Sequence, residues 1–232
     1  MTLAPEQAAP EQAAPEQTAP GQTLERTPGE LMSTRQRVKL VLVLGALIAV
    51  GPLTIDMYLP SLPAITADLS ATAAQVQLTL TGTLLGLALG QLVIGPLSDA
   101  FGRRIPLLSG IAVHVLASVL CVIAPNLAVL GTLRVLQGLG AAAAAVVAMA
   151  VVRDLFNGMA AATLISRLML VMGAAPILAP TLGSITLNWT SWRGVFVVLA
   201  LIGVGIITLR AGPARDAARR AAAQRRRARH PQ

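Results

Sequence analysis

The chain has 232 residues, of which 55% are hydrophobic and only 12% are charged. A soluble domain carries about 25% charged residues, so this composition indicates a protein whose natural solvent is lipid. The net charge is +8, but the basic residues form short patches between long apolar runs. This distribution argues against a nucleic-acid partner and favours the anionic surface of a lipid bilayer. With one cysteine, Cys121, and no Cys/His cluster, we expect no internal disulfide, no metal and no cofactor.

The first 34 residues differ in composition from the rest of the chain. Ala4-Pro5-Glu6-Gln7-Ala8 recurs at residues 9–13 and 14–18 with little change. Such a segment has almost no large apolar side chain to bury, so we expect residues 1–34 to form a disordered cytoplasmic tail.

Six apolar runs follow this segment. A helix needs about 20 mostly apolar residues to cross the hydrocarbon core, and in lipid every backbone polar group must be bonded within the structure. The sequence therefore predicts an all-α integral membrane protein with a six-helix bundle over residues 35–210, followed by an Arg-rich cytoplasmic tail at 211–232. The predicted spans are Val38–Tyr58, Gln75–Leu97, Ile105–Ala124, Leu127–Val151, Leu164–Leu187 and Trp192–Leu209.

The placement of lysine and arginine predicts the orientation of the bundle. Basic residues lie before span one, between spans two and three, between spans four and five, and after span six. The loop between spans five and six carries Arg193 alone. Both termini are therefore expected to be cytoplasmic, and Tyr58, Trp189 and Trp192 are expected at the outer interface.

Arg134 and Asp56, two of the charged residues within predicted spans, carry the first functional hypothesis. Arg134 lies several residues inside span four, where a buried arginine costs about 2.5–3.5 kcal/mol on insertion scales. Asp56 lies near the outer end of span one, at a similar depth, so that pairing is geometrically possible. The alternative for Asp56 is an interfacial residue that caps the loop at Pro60. His114, in span three, is expected to be a neutral, packed histidine.

The loop after span two carries a second group of polar residues. It reads Gly95-Pro96-Leu97-Ser98-Asp99-Ala100-Phe101-Gly102-Arg103-Arg104. Its glycines permit a sharp turn, and Asp99 can accept hydrogen bonds from an arginine or from a helix N-terminus. This pattern resembles the signature loop of the major facilitator superfamily, which implies a latch at the cytoplasmic gate formed by Gly95, Asp99, Gly102, Arg103 and Arg104.

Further segments resemble motifs of the same family. Arg134-Val135-Leu136-Gln137-Gly138 is similar to its span-four motif, and the resemblance implies a role for Arg134 in proton coupling. Gly173, Pro176, Pro180 and Gly183 in span five resemble the antiporter motif, although Ala179 and Ser184 replace two of its usual glycines. Prolines also kink helices without any functional role.

Three more segments resemble the bicyclomycin-resistance (Bcr/CflA) branch of drug:proton antiporters. They are Asp56-Met57-Tyr58-Leu59-Pro60-Ser61-Leu62-Pro63, Val152-Arg153-Asp154-Leu155-Phe156 and Ser191-Trp192-Arg193-Gly194-Val195-Phe196. The resemblance implies half of a major facilitator fold, built from two inverted three-helix repeats, with spans one and four lining a cavity. It also implies a bacterial inner-membrane exporter that exchanges a small amphipathic drug for protons through Asp56 and Arg134.

A complete transporter of this type has two six-helix halves, and this sequence predicts one. We therefore expect an N-terminal half that is truncated, or that pairs with a second copy or with a missing C-terminal half. The alternative is a membrane fragment or helix-bundle interaction protein that transports nothing. An enzyme is not expected, because no nucleophile–base pair, phosphate loop or metal set is visible.

Overall fold

A computed structural model of the chain describes residues 32–209. Apart from residues 32–34, the predictions for the two tails lie outside the described residues. Within this range the chain is helical and contains no strand. The helices are α1 Thr34–Asp56, α2 Leu62–Asp68, α3 Ala73–Phe101, α4 Arg104–Val122, α5 Leu127–Leu155, α6 Gly158–Trp189 and α7 Arg193–Leu209.

The predicted membrane spans correspond to these helices. In residues 32–209, five stretches are long and apolar enough to cross a membrane, with α1 and α2 counted together, and α7 is a shorter apolar helix. The all-α, multi-helix membrane fold predicted from the sequence is confirmed. The first span ends earlier than predicted, because α1 stops at Asp56 and a 3₁₀ turn at Leu59–Ser61 leads into the unpredicted short helix α2.

Side chains that cap the helix ends explain where several helices begin. Ser33 and Gln36 form a reciprocal capping box at the start of α1, and Thr72 and Gln75 form another at the start of α3. The Asn126 side chain accepts a hydrogen bond from the backbone N–H of Val129 at the start of α5. These caps satisfy N–H groups that have no partner inside the helix, and so they fix the residue at which each of these helices begins.

Helix α5 is the centre of the bundle and packs against α1, α3, α4 and α6. Its small residues allow this close approach. A Cβ added at Gly138 would lie within 3.0 Å of the backbone oxygen of Thr83 on α3, and one at Gly140 would meet the backbone of Gly110 on α4 in the same way. In lipid, helix association depends on such close packing rather than on the hydrophobic effect.

Buried apolar side chains form two clusters, one toward each end of the bundle. One includes Leu44, Leu47, Ile111, Val147, Phe156, Leu164 and Ile206, and the other includes Met57, Tyr58, Ile65, Cys121, Leu130, Phe196 and Leu199. Of the three aromatic residues expected at the outer interface, Trp189 is 84% exposed, whereas Tyr58 and Trp192 are buried within the protein. Both are buried because they pack against Phe196 on α7.

Candidate functional site

Arg134 lies at the centre of a buried polar cluster between α1, α3, α4, α5 and α7. It is fully buried. Its Nη1 donates to the backbone oxygen of Thr54, at 3.1 Å, and to Oε1 of Gln137, at 2.7 Å. The Thr54 oxygen belongs to the last turn of α1, which is the negative end of the helix dipole. The charge of Arg134 is therefore partly compensated by the end of a helix.

Two aromatic rings cover the guanidinium. Its central carbon lies 4.1 Å from the centre of the Tyr58 ring and 5.7 Å from the centre of the Phe196 ring. A cation over an aromatic face is stabilised by about 2 kcal/mol when water is excluded. The Tyr58 hydroxyl is fixed in turn by Oγ1 of Thr79 on α3, at 2.6 Å. Thr79 donates its own proton to the oxygen of Val76, so Tyr58 is the donor in this pair.

A chain of hydrogen bonds connects Arg134 to α4. The Gln137 side chain accepts from Arg134 and donates to Oγ of Ser118 at 2.7 Å. Ser118 donates to the oxygen of His114, and Nδ1 of His114 lies 3.2 Å from the oxygen of Gln137. His114 is 1% exposed, as expected for a packed histidine. These bonds give the side chains of Gln137 and Ser118 their partners and fix the rotamer of Gln137.

Arg134 does not form an ion pair with Asp56. In residues 32–209 the ion pairs join Arg103 to Asp99 and Asp154, and Arg193 to Asp68. Nε and Nη2 of Arg134 are buried without a hydrogen-bond partner. The pairing that the depth of the two residues allowed is therefore absent, and Arg134 instead bonds a helix end and an amide.

Asp56 lies on a cavity of about 530 Å³ between α1, α3, α5 and α6. The Asp56 side chain makes no hydrogen bond or ion pair with any part of the chain that the structure describes. Most of the lining is apolar, and it is rich in methionine. The lining residues are Ile48, Gly51, Pro52, Ile55, Asp56, Leu87, Gln91, Ala141, Ala145, Met149, Met169, Met172 and Pro176.

The composition of this cavity limits what it can bind. Asp56 is its one charged group, and Gln91 is its one other polar side chain. Methionine side chains are long, unbranched and polarisable, so they adapt to ligands of different shape. Such a wall with a single carboxylate suits an apolar ligand that carries a positive charge. When no such ligand is bound, the carboxylate can bind a proton instead.

The predicted loop after span two forms an ion-pair cluster at one end of the bundle. Arg103 pairs with Asp99, four residues before it, and its Nη1 donates to Oγ of Ser98 at 3.0 Å. Its Nε and Nη2 donate to the two carboxylate oxygens of Asp154 on α5, at 2.8 and 3.2 Å. Hydrogen bonds to Asp154 and then to Asp99 raise the pKa of the Arg103 guanidinium above its ordinary value. This cluster ties the α3–α4 loop to the last turn of α5.

The other residues of this motif have simpler surroundings. Gly102 ends α3 with a φ of +77°, a backbone conformation that favours glycine. Gly95 has open space where a Cβ would lie. Arg104 is exposed and begins α4. The structure thus brings Asp99 and Arg103 together and leaves Gly95 and Arg104 outside the cluster.

The antiporter-like residues of span five lie on different faces of α6. Pro176 lines the cavity of Asp56, and a Cβ at Gly183 would clash with the backbone of Met57 just beyond α1. Gly173 faces open space, and Pro180 is partly buried. Helix α6 continues through both prolines.

Several residues of these sites could not be singled out from the sequence. Thr54 contributes a backbone oxygen, so its side chain gives no signal. Asp154 belongs to a motif of the sequence, but its partner Arg103 is 51 residues away. At the opposite end of the bundle, Asp68 pairs with Arg193 at 2.7 Å and accepts from Nε1 of Trp192. Asp68 stands alone in a polar loop of the sequence, and nothing there indicates its partner.

Comparison with known proteins decides the family. Residues 42–231 match the sequence model of the Major Facilitator Superfamily. The chain belongs to the Major Facilitator Superfamily. Its members are membrane transporters, and the chain's arrangement of helices is that of half of such a fold.

Relatives within the superfamily include drug-resistance proteins. The chain is 45% identical over 177 residues to an uncharacterized MFS-type transporter, YdgK, of Bacillus subtilis, covering 75% of this chain and 44% of that one. It is 37% identical to a bicyclomycin resistance protein homolog of Haemophilus influenzae, and the match covers 71% of this chain and 41% of the relative. It is also 37% identical to the multidrug resistance protein MdtL of Escherichia coli, and that match covers 71% of this chain and 42% of the relative. The chain thus aligns with less than half the length of these relatives.

A solved structure shows the same fold. It is the crystal structure of a bacterial homolog of the human lysosomal transporter Spinster, with a TM-score of 0.64 and 19% sequence identity. The match covers 78% of this chain and 45% of the other. The six-helix half of a major facilitator fold, expected from the motifs, is confirmed.

Proposed function

We propose that this chain forms one half of a multidrug exporter that exchanges a cationic, amphipathic drug for protons. The observation that carries the proposal is Asp56, an unpaired carboxylate in a largely apolar cavity of about 530 Å³. An ionisable group at membrane depth without a partner is a functional candidate by default. A proton and a cationic drug would compete for this one carboxylate, and such competition is the basis of antiport.

Arg134 acts in this proposal as a fixed charge near the proton-exchanging residue. The Arg134 guanidinium contacts the Thr54 oxygen, Gln137 and the Tyr58 ring, so Arg134 has little freedom to move. Thr54 lies two residues before Asp56 on the same turn of α1. From this fixed position one turn from Asp56, Arg134 tunes the proton exchange of Asp56 in the proposed mechanism.

The cluster of Arg103, Asp99 and Asp154 supports a latch at the cytoplasmic gate. Arg103 ties the α3–α4 loop to α5, and α5 also carries Arg134. A helix that is fixed at its end and packed along its length moves as a rigid body. The latch would therefore hold α3, α4 and α5 as one unit while the drug site changes access.

The proposed location is the inner membrane of a bacterium, with both termini in the cytoplasm. The arginine-rich ends of α3, α5 and α6 lie on one side of the bundle, where the positive-inside rule places the cytoplasm.

Met169 and Met172 in the cavity wall are 45% and 48% exposed. The proposal is that a second copy or a C-terminal half covers this wall and completes the pathway.

Efflux of ethidium from a host that lacks its own exporters tests the proposal. Cells that express the chain should lose the dye in an energy-dependent way, and Asp56→Asn should abolish the loss. The matched control is Asp68→Asn, which removes a carboxylate that pairs with Arg193 and does not line the cavity. Absence of efflux at good membrane expression would favour the alternative, a membrane protein that transports nothing by itself.

A further inference from the structure

Gln91 contributes the second polar side chain to the cavity that contains Asp56. It lies on α3, whereas Asp56 is the last residue of α1. The other lining residues are aliphatic side chains, methionines, prolines and a glycine. A ligand in this cavity therefore meets two polar groups, a carboxylate on one helix and an amide on another.

The amide of Gln91 is not used to hold the described helices together. Gln91 is exposed, and its side chain makes no hydrogen bond with any residue in the range 32–209. Its neighbours Leu92 and Val93 are exposed apolar residues. A polar side chain inside a membrane span costs free energy, and no contact within the described bundle offsets that cost. The amide oxygen and N–H groups are both available, so Gln91 can accept and donate hydrogen bonds to a ligand.

Gln91 and Asp56 lie at different depths in the cavity. Gly86 of α3 packs against the backbone of Val135 on α5, and the adjacent Arg134 bonds the last turn of α1. From Gly86 to Gln91 the helix rises by about 7.5 Å, away from the end at which α1 stops. The carboxylate-bearing and amide-bearing residues are therefore separated by roughly 7 Å or more along the bundle axis, a distance that one drug-sized ligand can span.

We propose that Gln91 is a specificity-determining residue of this cavity, and that it selects cations that carry a hydrogen-bonding group away from their charge. The inference rests on the proposed function, in which Asp56 binds the positive charge. The hydrogen-bonding group of the same molecule then binds the Gln91 amide. A cation without such a group displaces water from the amide and offers no partner in return, which lowers its affinity.

Two cationic probes of equal charge test this selection. Ethidium carries aromatic amines at the edges of its ring system, whereas tetraphenylphosphonium has no hydrogen-bond donor or acceptor. Gln91→Met keeps the length of the side chain and removes the amide. It should weaken ethidium binding to the purified full chain about threefold to tenfold, the effect of losing one neutral hydrogen bond. Tetraphenylphosphonium should bind Gln91→Met at least as tightly as wild type, which also shows that the variant is folded.

Equilibrium dialysis in detergent measures both affinities, and the matched control is Gln77→Met. Gln77 is an exposed glutamine of the same helix that does not line the cavity, so its replacement should leave both affinities unchanged. Unchanged ethidium binding in Gln91→Met, or equal weakening of both probes, would overturn the role of Gln91.

Asp56→Asn distinguishes failure of this inference from failure of the proposed function. It should weaken the binding of both cations, because both need the carboxylate. If it does so while Gln91→Met treats the two probes alike, the drug site stands and the selection by Gln91 is wrong. If wild type binds neither cation, or Asp56→Asn weakens neither, the proposed drug site is wrong and the inference about Gln91 fails with it.

Discussion

At the scale of single residues, Arg134 shows how a membrane protein can bury a cation without a carboxylate. The backbone oxygen of Thr54, the Gln137 amide and two aromatic rings replace the counter-ion. Each contact is weaker than an ion pair, but together they leave Asp56 unpaired for other ligands. A direct ion pair would have neutralised both groups and removed the charged feature of the cavity.

Two substitutions at Tyr58 separate the contributions of its ring and its hydroxyl. Tyr58→Phe keeps the ring over Arg134 and loses the bond to Thr79, which should lower the free energy of unfolding by about 1 kcal/mol. Tyr58→Leu also loses the cation–π contact and should cost about 2 kcal/mol more. Thermal unfolding of the purified protein in detergent measures both. If the phenylalanine variant were as unstable as the leucine variant, the ring would contribute nothing to holding Arg134.

At the scale of helices, small residues determine the arrangement. Gly86 and Gly138 each lie so close to the facing backbone that a Cβ would clash with it, which joins α3 to α5 along one seam. Gly183 does the same between α6 and the residues just after α1. By contrast, Gly173 of the antiporter-like motif has open space where a Cβ would lie. Packing between the described helices therefore does not require a glycine at this position.

Substitution of these glycines by alanine should have opposite effects. Gly138→Ala forces α3 and α5 apart and should destabilise the protein by about 1–3 kcal/mol. Gly173→Ala adds a methyl group into open space within a helix and should be neutral or stabilising by up to about 1 kcal/mol. Unfolding in detergent distinguishes them, and a loss of stability in Gly173→Ala would mean that the open space is filled by a partner.

The helices themselves were predictable from the sequence, but their contacts were not. Long apolar runs and the Pro125-Asn126 break located α4 and α5 within a few residues. The short helix α2 was missed because its 7 residues are too few for a membrane span, and Pro60 and Pro63 are typical of a loop. The burial of Tyr58 and Trp192 against Phe196 could not be predicted from residue type, because it depends on how α7 packs. The partners of Arg134 and Arg103 depend on helix packing, which no local pattern encodes.

At the scale of the whole molecule, charge separates the two ends of the bundle. One end holds Arg103 with Asp99 and Asp154, and also Arg37 and Arg167. The opposite end holds one ion pair in the described range, between Asp68 and Arg193. This asymmetry predicts the orientation in the membrane more strongly than any single loop does.

Reporter fusions test this orientation. Alkaline phosphatase, which is active only outside the cytoplasm, should be active when fused after Pro125, between α4 and α5. It should be inactive when fused after Asn157, between α5 and α6. The reverse pattern, or activity at both sites, would contradict the cytoplasmic assignment of the arginine-rich end.

The cover over Arg134 has a consequence for synthesis of the protein. Phe196 belongs to the last described helix and leaves the ribosome about sixty residues after Arg134, several seconds later at the usual pace. During that interval α5 enters the membrane with its arginine screened on one face by Tyr58 alone. We therefore expect nascent chains that stop before α7 to keep water at Arg134. The packing of α7 would then be the step that excludes water from Arg134 and completes the folding of the described bundle.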